Sequence, residues 1–163
     1  MNEQIKKELT VFVNQANDIL NGKIVSAYCF GSAIYDDFHE GYSDLDFFII
    51  VDGYLSEADF NRFHLLRDEY KRSGNAYLSV LEGEIIPHSA MIHNRDTNVI
   101  YWGTSKDRLK SNYGLAGFSM CCLLDNGYLI FGKDIRNAIP YPTKEEMLGE
   151  ISTLIERIRQ HAC

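Results

Sequence analysis

Two aspartates, Asp44 and Asp46, open the apolar, aromatic run DLDFFIIV, a setting in which carboxylates are normally depleted. Taken as a strand, the run sends positions 44 and 46 to one face, where two like charges repel. A hard divalent cation reverses that sign, because it accepts carboxylate oxygens and leaves positions open to phosphate and water. One Mg2+, or two about 4 Å apart, would turn the pair into a binding site. Upstream, Gly31 and Ser32 close a second apolar run, KIVSAYCF. A glycine at a strand end lets the backbone approach a ligand closely, and backbone N–H groups with a hydroxyl at a helix start bind phosphate. The spacing therefore sets phosphate donors opposite a metal-binding carboxylate pair, with Gly41 giving the intervening loop its freedom.

The elements that must position these residues follow from periodicity. Ile5, Leu9, Phe12, Val13, Ala16, Ile19 and Leu20 recur at helical spacing over residues 3–20, and Asn21-Gly22 supplies a stop. KIVSAYCF and DLDFFIIV read as strands, with a short helix starting at Ser32 between them. Ser56 and Asp59 form a capping box before Phe60, Phe63, Leu66 and Tyr70, and the helix breaks at Ser73-Gly74-Asn75. AYLSVLEG is expected as a third strand, NVIYWG as a fourth and YLIFG as a short last one. LAGFSMCCLL reads as a buried helix closed by Asn126-Gly127. Thr143 with Glu146 caps a final helix whose Met147, Ile151, Leu154, Ile155 and Ile158 make an apolar stripe. That stripe needs a partner within the domain, in a second subunit, or in a region outside this chain. Strands alternating with helices predict an α/β or α+β class, a mixed sheet with helices packed on it.

The segment from Ile24 to Val51, with Gly-Ser followed about ten residues on by Asp-x-Asp, resembles the nucleotidyltransferase superfamily typified by DNA polymerase beta. Within it the chain looks most like the N-terminal domain of aminoglycoside nucleotidyltransferases, which modify streptomycin and spectinomycin. LEGEIIP, LIFGKDI and AIPYPTKEEMLGEI are similar to later segments of those enzymes. The resemblance implies a nucleotidyltransferase fold in which Gly31, Ser32 and Ser43 bind the nucleotide and Asp44 and Asp46 hold Mg2+. It implies transfer of an NMP, in the first instance AMP from ATP, to a hydroxyl of a small acceptor such as an aminoglycoside. The family's third carboxylate is expected early in the strand after the long helix, where this chain has Ala76, Tyr77, Leu78 and Ser79. The nearest acids, Glu82 and Glu84, fall late in that reading, and Glu82 is the candidate. The expected domain is a single one over residues 1–163, without the family's C-terminal helical substrate domain. Two further readings stay open: a minimal nucleotidyltransferase antitoxin acting on a helical toxin partner, and a catalytically degenerate domain that binds nucleotide or serves as an interaction module.

A formal charge of -7 opposes nucleic-acid binding, which rests on clustered Lys and Arg, and favours a cationic or neutral small substrate. A homodimer is compatible with the apolar last helix. The N-terminus lacks a signal-peptide apolar region, and the longest apolar run is well short of the roughly 20 residues of a membrane span, so no membrane role and a cytoplasmic location are expected. Cys29, Cys121, Cys122 and Cys163 lack zinc-site spacing and read as buried, reduced thiols. His88 and His93 read as surface residues, Trp102 as core, Asp36, Asp37 and Glu40 as a solvated turn, and Lys106, Arg108 and Lys110 as a solvated basic face.

Overall fold

Amphipathic helices and alternating strands meet in one six-stranded mixed sheet. A computed structural model of the chain describes residues 1–92, 97–103, 108–110 and 117–161. Helix α1 (Glu3–Ile19) starts under the Asn2 side chain, which accepts the N–H groups of Gln4 and Ile5. Strand β1 (Ile24–Cys29) leads through a 3-10 turn, Gly31–Tyr35, and a loop to β2 (Leu45–Val51). Helix α2 (Glu57–Ser73) carries the expected capping box at Ser56 and ends on Gly74, which takes the left-handed conformation a helix stop favours. Then come β3 (Leu81–Pro87), the short α3 (His88–Ile92), β4 (Val99–Trp102) and β5 (Arg108–Lys110). Helix α4 (Gly117–Asn126), β6 (Tyr128–Gly132) and α5 (Lys144–His161) complete the chain.

The strand order is β5-β4-β3-β2-β1-β6. Among the described residues only β2 and β3 pair in parallel; the other neighbours are antiparallel. A parallel pair requires a crossover rather than a hairpin, and α2 lies within that crossover. One face of the sheet carries Leu45, Phe47, Ile49, Leu81 and Ile85 in a core with α1 and α2. Trp102 lies in this core, edge-on to Phe12 and Phe63 with ring centroids 5.4 and 6.1 Å away, so its reading as a core aromatic holds. The opposite face is thinner: Tyr28, Phe48, Ile50 and Ile86 pack under Ala90 and Met91 of α3 and Met120 and Leu123 of α4.

The third strand is a correction. AYLSV has strand-like composition, but the Asn75 side chain accepts the N–H groups of Tyr77 and Leu78 and turns the chain there. Residues 78–80 form a 3-10 turn, and β3 begins only at Leu81. The cysteines also depart from expectation. Cys29 is buried and its thiol is pushed up to about 12 by burial, but Cys122 is exposed. His93, Lys106 and Cys163 lie outside the described residues, as do the side chains of Arg108 and Lys110. Among the described residues no helix is long and apolar enough to cross a membrane.

Candidate active site

The candidate residues gather where β2 and β3 run side by side on the thinner face of the sheet. Asp44 sits in the loop just before β2 and Asp46 is its second residue, sharing a side with Phe48 and Ile50 by strand parity. In the parallel register Asp46 stands beside Glu82, and Phe48 beside Glu84. Neighbouring strands lie about 4.8 Å apart, so the two acids are direct cross-strand neighbours. The expectation that Glu82 falls late in its strand, or beyond it, is therefore corrected. Moving the strand start from residue 76 to Leu81 makes Glu82 its second residue, level with Asp46.

Electrostatics records the crowding. Burial raises the Asp46 carboxyl, and the charges of Asp44 and Glu82 push it further, up to about 6. Asp44 is raised in the same direction by partial burial and by Glu82. Among the described residues neither aspartate side chain accepts a hydrogen bond or meets a cation, so nothing described offsets the repulsion. Glu82 differs in one respect, because the Tyr101 hydroxyl donates to its Oε1. Tyr101 lies on β4 opposite Glu84, which places its ring over the same face.

Gly31 packs against this group. Its φ is +75°, in the region L side chains rarely adopt, and a Cβ at that position would lie 2.1 Å from Asp46 Oδ2. Glycine is thus required twice, by backbone conformation and by the carboxylate that fills the space. The Phe30 N–H donates to the Asp46 carbonyl at 3.2 Å and ties the end of β1 to the start of β2. Ser32 is the second residue of the 3-10 turn, where N–H groups lack intrahelical acceptors. Ser43 is engaged otherwise: its hydroxyl accepts the His39 N–H at 3.0 Å and closes the loop before Asp44. A pocket of about 190 Å3 opens between Phe30, Asp46, Glu82, Glu84, Tyr101 and Ser119. The structure thus brings Gly31, Asp44, Asp46 and Glu82 together, with Ser32 adjacent in the chain and Ser43 in the loop.

The nucleotidyltransferase domain family matches residues 13–100, a span that includes β1, the Gly-Ser turn, both aspartates and β3. The chain belongs to that family. Nucleotidyltransferase structures share the fold. Spectinomycin adenyltransferase AAD(9) from Enterococcus faecialis, solved with ATP and spectinomycin, aligns with a TM-score of 0.59 at 16% identity. The alignment covers 91% of this chain and 65% of that one, so this chain spans less than two thirds of AAD(9). A toxin-antitoxin structure with AMP-PNP aligns at a TM-score of 0.42 and 11% identity, over 91% of each chain. A mutant of the MntA-HpeT toxin-antitoxin aligns at 0.42 and 8%, over 94% of this chain and 92% of that one. No curated protein matches the sequence.

The nucleotidyltransferase donor set suits Mg2+. Among the described residues no three His, Cys, Asp or Glu side chains close round a metal-sized point by themselves. Mg2+ does not need such a cage, because it keeps several waters and binds through one or two carboxylates together with substrate phosphates. Two carboxylates short of positive charge, one of them raised to about 6, are a fitting half-site. Two contributors escaped sequence reading. Tyr101 was visible only as a strand aromatic. Gly83 was visible only as a glycine: a Cβ there would meet the Phe47 carbonyl oxygen at 2.1 Å, so it permits the β2–β3 approach that seats Glu82.

Proposed function

We propose that the chain is an Mg2+-dependent nucleotidyltransferase that moves an NMP, in the first instance AMP from ATP, onto a hydroxyl of a small cationic acceptor of the aminoglycoside kind. The observation that carries this reading is the level pairing of Asp46 with Glu82, beside Asp44 and against Gly31. Asp44 and Asp46 hold Mg2+, which when bound offsets negative charge on the phosphates. The Gly31 and Ser32 backbone, with the Ser43 loop, receives the triphosphate. Glu82 accepts the proton of the acceptor hydroxyl as that oxygen bonds to the α-phosphorus. The bond to the bridging oxygen breaks, and pyrophosphate leaves with the electron pair. Tyr101 orients Glu82 from the far side of the pocket. The charge of -7 and the exposed acids of the 36–40 loop favour a cationic acceptor.

Titration calorimetry of ATP with and without Mg2+, into wild type and Asp44→Ala/Asp46→Ala protein, tests the nucleotide half. Mass spectrometry of an aminoglycoside panel incubated with ATP and Mg2+ tests the acceptor half. The expected outcome is Mg2+-dependent binding lost in the double variant, and a mass increase of one AMP on at least one aminoglycoside. Absence of binding to wild type refutes the catalytic reading; binding without any adduct refutes the acceptor class.

A further inference from the structure

Helix α5 carries a surface feature that the candidate site does not use. Its first turns dock on α4, where the Cys121 thiol meets the Met147 sulfur at 3.7 Å and Glu150 Oε2 accepts the Phe118 N–H at 2.9 Å. Those contacts turn the adjoining stripe outward. Leu148, Ile151, Leu154, Ile155 and Ile158 are all exposed, at between 36% and 59% of their surface. Among the other described residues large aliphatic side chains are mostly in the core.

The spacing of the stripe is specific. Leu148, Ile151, Ile155 and Ile158 follow one another at intervals of three, four and three, the alternation that makes one helix seat its side chains between those of another. We infer that α5 pairs in antiparallel sense with α5 of a second copy of this chain. A two-fold axis level with Thr153 puts Leu148 opposite Ile158 of the second copy and Ile151 opposite its Ile155, each contact occurring twice. A single stripe thereby completes its own partner.

Charge fixes the direction. Glu145, Ser152 and Arg159 are seven residues apart and flank the same side of the stripe. All three are exposed. The two-fold brings Glu145 of each copy within about half a turn of Arg159 of the other, and leaves the uncharged Ser152 near the axis. A parallel pair would instead put this side of the two helices on opposite flanks of the seam, with no contact between Glu145 and Arg159. Flanking charges select orientation in paired helices, and here they favour only the antiparallel one.

Sedimentation equilibrium of the full chain under reducing conditions, across a concentration series, tests the assignment. The expected mass is twice 18.7 kDa at the upper end. Ile151→Asp/Ile155→Asp is expected to halve it while the circular dichroism of the folded chain persists. Glu145→Arg or Arg159→Glu alone is expected to weaken association at least tenfold, and Glu145→Arg/Arg159→Glu together to restore it. A monomer throughout the series overturns the proposal, because the stripe then serves a different helix. A dimer indifferent to Ile151→Asp/Ile155→Asp, or a double charge reversal that fails to rescue, overturns it as well.

Discussion

Asp46 and Gly31 are the two residues on which the candidate site turns, and each makes a measurable prediction. The Asp46 carboxyl titrates near 6 in the folded chain against an ordinary value of 3.8. Between those values the folded state holds more protons than the unfolded state, so stability falls as pH rises through the window. The full penalty is present above about pH 6. Asp46→Asn is therefore expected to raise metal-free stability at pH 7.5 by on the order of 1 to 2 kcal/mol, after allowing for solvent screening. The gain should vanish below about pH 4, and urea titrations at the two pH values would show it. The same variant should lose Mg2+-dependent nucleotide binding; a variant no more stable than wild type at pH 7.5 would contradict the repulsion described. Gly31→Ala should act oppositely. Its methyl group and left-handed backbone displace the Asp46 carboxylate, costing about 1 to 3 kcal/mol and abolishing Mg2+-dependent binding. Tyr101→Phe removes one hydrogen bond to Glu82 and is expected to lower kcat several-fold with little change in nucleotide affinity, measurable by steady-state kinetics.

At the scale of the element, helix caps were the most legible feature and strand starts the least. Ser56 accepts the Asp59 N–H at 3.2 Å while Asp59 Oδ2 accepts the Ser56 N–H at 2.9 Å, as the Ser-x-x-Asp spacing predicts. Ser56→Ala should cost about 1 kcal/mol in thermal or urea unfolding without altering nucleotide binding. Capping could be read because its partners lie three residues apart. The start of β3 could not, because a side-chain turn competes with extension there: Asn75 wins over the β-prone Ala76–Val80 through two local hydrogen bonds. That shift of five residues made Glu82 look misplaced when it is level with Asp46. The grouping of Asp44, Asp46 and Gly31 could be read because their spacing is local in sequence. Tyr101 and Gly83 act through pairing across strands, which a single sequence does not display. The three-residue β5 and five-residue α3 were missed because neither is long enough to show a period.

Across the whole molecule, the two faces of the sheet bear different loads. Helices α1 and α2 cover one face with the aromatic cluster around Trp102, whereas the other face, which carries the acids, is roofed by the short α3 and α4. Trp102→Ala should cost about 3 to 5 kcal/mol by emptying the cluster, as read from urea unfolding. The carboxylates occupy the side with fewer covering contacts, so the chain can loosen there while its main core stays closed. Opening free energies within a fold scale with the apolar contacts that must be broken. In native-state hydrogen exchange, the amides of α4 should therefore exchange through partial opening, insensitive to low denaturant, while those in the middle of α1 and β2 wait for global unfolding. Mg2+ with nucleotide would slow the first class more than the second, giving the side that handles substrate a separate clock from the side that keeps the chain folded.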